Sequence, residues 1–191
     1  MDLVVSPFAE TNVDIPAMNS ASYKMVDDLS RFAVIDVGGD DRGALALGRL
    51  APKLEEENNF DMYYVINKFR PLTKDAQSTI EVMKEIEFAC KLKFTGIINN
   101  SNLGNETTCE DVIGSLAYAN EISQITSLPI IMTTVKEELY QTLKDKIANY
   151  KKQKAELRCV IRLYAIEAVE DFDISISLED SLTGIKISVL L

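Results

Sequence analysis

Residues 31–39 read Arg-Phe-Ala-Val-Ile-Asp-Val-Gly-Gly. A short, nearly continuous apolar run broken by one aspartate and closed by two glycines fits a β-strand covered on both faces that leads into a tight turn. Residues 41–57 follow, with Ala44, Leu45, Leu47, Leu50 and Leu54 on one apolar stripe, the spacing of an amphipathic helix. The same alternation then recurs. Residues 60–66 (FDMYYVI) predict a strand, and Thr73 a capped helix to about Lys91 with Ile80, Met83, Ile86 and Cys90 on its buried side. Residues 92–98 (LKFTGII) predict another strand, and Thr107 with Glu110 a capping box opening a helix to about Ile125. Residues 128–133 (LPIIMT) predict a strand, and Val135, Leu139, Leu143 and Ile147 the face of a long final helix. Strand alternating with helix predicts an α/β fold: a mostly parallel, twisted, Rossmann-like sheet with helices on both faces.

The flanks differ. Val4-Val5 suggests a brief strand, and residues 6–22, with Pro7 and Pro16, have loop chemistry. Beyond residue 154, DISISL (173–178) and GIKISVLL (184–191) alternate with period two, as in an antiparallel hairpin, and 157–166 offers a third strand. This organisation predicts an α/β domain over residues 1–154 and a short C-terminal β extension over 155–191.

The chain has 191 residues, 47% apolar and 26% charged, with a net charge of −10. That composition is globular, and the negative charge argues against a coat for nucleic acid or anionic membrane. No run approaches the roughly 20 apolar residues needed to span a bilayer. The N-terminus has no basic region before its apolar run, so a cytoplasmic address is expected. Three cysteines, Cys90, Cys109 and Cys159, lack any CxxC spacing and are expected to be reduced and mostly buried. There is no histidine, which removes Ser-His-Asp and Cys-His catalysis and histidine metal sites together.

Parallel sheets bind ligands beyond the carboxyl ends of their strands. Those ends carry Asp36-Val-Gly-Gly, Asn67-Lys-Phe-Arg, Asn99-Asn-Ser-Asn and Thr133-Thr134, small and polar where the strands are apolar. Gly38 and Gly43 have the spacing of GxxxxGK[ST], but Ala44 and Leu45 stand where the lysine and hydroxyl belong, so the segment is not a phosphate loop. Asp36, at the end of an apolar strand, is either a Mg²⁺-holding carboxylate or one that accepts loop amides. Asn67, Asn99 and Asn100 carry the donor and acceptor pair that suits a purine edge, although asparagines in turns are the commoner case. Arg42 and Arg70 are cations near these tips, more commonly solvated and paired with carboxylates than bound to phosphate. Five lysines between residues 144 and 154 complement a helix C-terminus.

Taken in order, VIDVGGDDRGALALGR (34–49), YVINKFRPLT (64–73), FTGIINNSNLGNETT (94–108) and LPIIMTT (128–134) resemble the C-terminal two-thirds of MinD/ParA/CobQ-like P-loop NTPases, in the branch with a DVGGDD segment. TNVDIPAM (11–18) resembles the stretch before that strand, so the likeness covers about residues 3–147. It implies ATP and Mg²⁺ as cofactors and dimerisation across the nucleotide. By motif position Asp36 resembles the Walker B aspartate, catalytic and metal-holding. Gly38 and Gly39 resemble the switch glycines beside the γ-phosphate, Asn67 the base-contacting asparagine, and Asn99 with Asn100 a further segment of the branch. Family members open with a KGGxGKT phosphate loop and a second strand with its own aspartate. Neither is in this sequence, so the expectation is an incomplete ATPase, inactive alone, that awaits a homodimeric partner or a missing N-terminal half. The alternative is a non-catalytic scaffold that pairs with another chain through its sheet edge.

Overall fold

The computed structural model describes residues 20–28, 33–38, 41–153, 163–166 and 185–190. Val4-Val5, residues 6–19 of the loop expected over 6–22, Gly39, Asp40, Cys159 and residues 173–178 lie outside them, and residues 20–22 of that expected loop are helical. The elements are α1 (Ser20–Asp27), β1 (Ala33–Val37), α2 (Asp41–Leu47), α3 (Ala51–Glu57), β2 (Phe60–Ile66), α4 (Ala76–Cys90), β3 (Gly96–Asn99), α5 (Cys109–Thr126), β4 (Ile130–Lys136), α6 (Glu137–Gln153), β5 (Leu163–Ile166) and β6 (Ile185–Leu190). Single 3-10 turns lie at Pro71–Thr73 and Gly104–Glu106. The fold is α/β, with a parallel sheet flanked by helices, as the alternation of apolar periods predicts.

Contacts divide the chain into two compact units, one within Met1–Tyr64, Glu81–Thr95 and Ser181–Leu191, the other within Val65–Ile80 and Gly96–Asp180. In the first, β1 runs parallel to β6, Asp36 opposite Ser188. The strand predicted over 184–191 is thus β6, and its partner here is β1. In β1, Ala33 and Val37 are buried, but Val34 is 53% exposed and Asp36 also faces outward. The strand is therefore not covered on both faces. An apolar side chain at position 34 hides a period-two alternation.

The helix expected over 41–57 is broken in two. Pro52 sits in the first turn of α3 and has no N–H to offer the carbonyl of Gly48, so a continuous helix is interrupted at Gly48–Leu50. Ala44, Leu47, Leu50 and Leu54 are buried as the stripe predicts, while Leu45 is exposed. Asn58 ends α3 in the left-handed region (φ 46°), its N–H bonded to the Leu54 carbonyl at 3.0 Å. Tyr64 and Phe94 stack at 4.8 Å between ring centres, and Met62 O accepts the Thr95 N–H at 2.8 Å.

In the second unit β3 lies parallel to β4, and β4 parallel to β5, giving a three-stranded parallel sheet. Its core includes Cys109, Val112, Val135 and Leu143, with Ile113, Leu139 and Tyr140 packed on them. Three helix starts fall slightly away from their expected positions. Val135, expected on the last helix, lies in β4, and α6 begins at Glu137. Asp75, not Thr73, caps α4 by accepting the Ser78 N–H at 2.9 Å. Thr108 and Asp111, not Thr107 and Glu110, form the capping box of α5. Thr107 is engaged elsewhere: its hydroxyl takes the Leu103 N–H at 2.9 Å and donates to the Gly104 carbonyl at 2.7 Å. Glu110 instead pairs with Lys146 at 2.6 Å, which lowers the Glu110 pKa and raises that of Lys146.

Gly43 explains the Gly38–Gly43 spacing. A Cβ at residue 43 would lie 2.5 Å from the carbonyl oxygen of Gly38, whereas one at Gly38 would meet nothing within 4 Å. The backbone of the turn approaches helix α2 too closely for any side chain there. Gly43→Ala is expected to lower stability by about 1–3 kcal/mol, because the obstructing atom is backbone and cannot rotate away. Urea unfolding checks this, with Gly38→Ala as the tolerated comparison.

Candidate functional site

The second unit gathers an asparagine-rich crest from its strand ends. Asn67 follows β2, Asn99 closes β3, and Thr133 stands opposite Asn99 in β4. Asn99 is completely buried. Its amide donates to Ser115 Oγ of α5 at 2.9 Å, and its Oδ1 accepts the Ser101 hydroxyl at 2.7 Å and the Ser101 N–H at 3.3 Å. Ser115 passes its own proton to the Val112 carbonyl at 2.7 Å. Ser101 Oγ in turn accepts the Lys68 N–H at 3.0 Å. One buried amide thereby ties β3 to α5 and to the loop after β2.

Asn67 and Asn100 are similarly engaged. Asn67 Oδ1 accepts the N–H groups of Phe69 (3.0 Å) and Asn102 (3.3 Å), and its amide donates to the Asn102 carbonyl at 3.2 Å. Asn100 Oδ1 accepts the Thr134 hydroxyl, and the Asn100 carbonyl accepts from Asn102 Nδ2 at 2.8 Å. The Asn100 N–H reaches the Ile66 carbonyl at 2.9 Å. Three of the four polar tips, those bearing Asn67, Asn99-Asn100 and Thr133-Thr134, therefore meet in one hydrogen-bonded layer. The two threonines lie inside β4 rather than at its end, since the strand continues to Lys136.

Sequence reasoning passes over a second buried layer. The Tyr118 hydroxyl of α5 donates to the Thr73 carbonyl at 2.8 Å and lies 2.7 Å from Thr79 Oγ1. Burial pushes its pKa up to about 12. Thr79 Oγ1 lies 2.6 Å from the Asp75 carbonyl. Tyr118 reads in the sequence as one more aromatic in an apolar helix. The signal that marks it is the pair of threonines, Thr73 and Thr79, at the start of the neighbouring helix.

Asp36 belongs to the first unit, as does Gly38; Gly39 lies outside the described residues. The Asp36 carboxylate is open to solvent on one side. The protein around it still removes enough water to raise its pKa. Solvent access keeps the carboxylate reachable by a cation, and partial desolvation makes such a cation more welcome. A lone carboxylate supplies one ligand of an octahedral Mg²⁺, which takes its other oxygens from water and phosphate. Among the described residues no group of three His, Cys, Asp or Glu side chains converges as a metal cage.

Comparisons with protein-family models, curated proteins and solved structures returned no match. Among the described residues no helix is long and apolar enough to cross a membrane.

Two expectations follow. Asn99→Ala strands the Ser101 N–H and hydroxyl proton in a buried site, and should cost about 2–3 kcal/mol. Hydrogen exchange should show lost protection at Ser101 and at Lys68, whose N–H hangs from the same hydroxyl. For Asp36 the folded pKa lies above the unfolded one, so the folded chain holds its proton more tightly. Its contribution to stability falls as pH rises through the window between the two values. Asp36→Asn should therefore melt higher than the parent chain at neutral pH, with the gap closing below the unfolded carboxylate pKa. Melting curves at neutral and acid pH read this directly.

Proposed function

We propose that this chain is a nucleotide-binding-class α/β domain of the MinD/ParA-like ATPase type that does not hydrolyse ATP by itself. The observation that carries the proposal is the polar crest of Asn67, Asn99 and Asn100, joined by Thr134 from within β4, at the carboxyl ends of strands, where parallel sheets place their ligands. In this reading the resemblance assigns Mg²⁺ to Asp36, the terminal phosphate to the Gly38-Gly39 segment and the base to Asn67. The residues fit the metal and purine parts of such a ligand better than its triphosphate. Ala44 is fully buried and Leu45 carries no charge, so α2 presents neither the lysine nor the hydroxyl that phosphoryl transfer depends on.

A second reading, a non-catalytic scaffold pairing with another chain through its sheet edge, is favoured by apolar exposure in the first unit. Val34 on β1 is 53% exposed and Phe88 on α4 is 89% exposed.

Phosphate release and calorimetry test the first reading. The 191-residue chain should release no phosphate from Mg-ATP and show no micromolar ATP affinity, while adenosine at high concentration should shift the amide resonances of Asn67 and Lys68. Turnover, or micromolar binding of ATP, would overturn it. Light scattering separates the second reading: a stable oligomer without nucleotide supports the scaffold, and a clean monomer counts against it.

A further inference from the structure

The loop joining β2 to α4, residues 67–75, is held by hydrogen bonds at its start, its middle and its end and presents Arg70, Leu72 and Lys74 to solvent. The Asn67 carbonyl accepts the Thr73 hydroxyl at 2.7 Å and the Arg70 N–H at 3.3 Å. Asn67 Oδ1 takes the Phe69 N–H, Ser101 takes the Lys68 N–H, and Arg70 O takes the Thr73 N–H at 3.1 Å. Tyr118 then pins the Thr73 carbonyl from α5. Arg70 is extended (φ −87°, ψ 142°), as the residue before Pro71 must be. On this frame Leu72 is 74% exposed, and Arg70 and Lys74 are exposed beside it.

The charge is unusual for this molecule. A chain with 30 acidic and 20 basic residues places Lys68, Arg70 and Lys74 within seven positions. Elsewhere Lys53, Lys93 and Lys146 each find a carboxylate. Among the described residues none lies within ion-pair distance of Arg70. Behind the loop, between it and α5, is an open groove of about 470 Å³ whose lining includes Lys68, Lys74, Tyr118 and Glu121, with small residues Gly114 and Ala117 along it. Lys68 leans on the Gly114 carbonyl at 3.4 Å. Two acids border the groove. Asp75 spends its carboxylate on the Ser78 N–H and hydroxyl, with its pKa lowered accordingly, and Glu121 stands exposed on α5.

We infer that the 67–75 loop is a preformed recognition loop that docks an acidic, aliphatic segment of a partner protein, with carboxylates over Arg70 and Lys74 and an apolar side chain against Leu72. A rigid loop pays little ordering entropy on binding, and an arginine without a local partner offers its planar donors to a carboxylate. Acid-rich segments are what a cationic loop selects, and attraction between opposite charges is weakened by salt. The inference stands apart from the nucleotide reading, since neither Arg70 nor Leu72 has a part in it.

The test uses the full chain and a labelled synthetic peptide of alternating glutamate and leucine, with an alternating lysine and leucine peptide as control. Anisotropy should report binding of the acidic peptide alone, weakened by salt. Amide shifts should map to the loop and to Ala117 and Glu121. Arg70→Glu should weaken binding about tenfold or more and Leu72→Asp about fivefold, at unchanged melting temperature because both side chains are exposed. Absence of binding, equal binding of the lysine peptide, or equal affinity in both variants would overturn the inference. So would ATP moving the loop resonances while the peptide does not, which would assign the surface to a nucleotide.

Discussion

The buried amide of Asn99 is the constraint on which the second unit turns. A side chain with no exposed surface must have its polar atoms satisfied or cost more than it contributes. Asn99 meets that demand by reaching in two directions, to Ser115 on α5 and to Ser101 in its own loop. Because Ser101 then holds the Lys68 N–H, the satisfaction of one amide fixes the start of the loop after β2. The same economy recurs at Tyr118, whose hydroxyl answers a carbonyl that the Pro71–Thr73 turn leaves unpaired inside the protein. Among the described residues no buried side-chain nitrogen or oxygen lacks a partner.

Much of the fold was legible in the amino-acid sequence. The pattern FDMYYVI marks β2 from end to end, since a short run rich in aromatic and β-branched residues bounded by Asn59 and Asn67 favours a strand. The starts of α4 and α5 are harder. Thr73, Asp75, Thr107 and Thr108 are all competent caps, and only the three-dimensional competition for their side-chain oxygens decides among them. The break between α2 and α3 was legible in principle at Pro52, but the leucine stripe continues through it and hides it. Leu45 shows the limit of the stripe reading: counted with the apolar side chains of its helix, it is exposed.

The candidate site divides along the same line. That Asn67, Asn99 and Asn100 meet at strand ends follows from parallel topology alone. What each does there does not, because an asparagine that binds a purine and one that closes a turn have the same neighbours in sequence. The structure adds that Asn99 is consumed by its surroundings, whereas among the described residues Asn67 Nδ2 donates to the Asn102 carbonyl alone and Asp36 is exposed. The glycine spacing that imitates a phosphate loop has a geometric origin instead, the close approach of Gly43 to the Gly38 carbonyl.

A layer tied together by this many hydrogen bonds cannot reshape itself around a ligand without breaking bonds worth about 1 kcal/mol each. Side chains that already project from this face of the second unit can meet a partner without that loss. Arg70, Leu72 and Lys74 are such side chains, held outward by a backbone that Asn67, Ser101 and Tyr118 have immobilised. Beneath these three side chains the polar crest serves as a frame. Its hydrogen bonds convert a nine-residue loop, which would otherwise lose ordering entropy on association, into a surface that loses little.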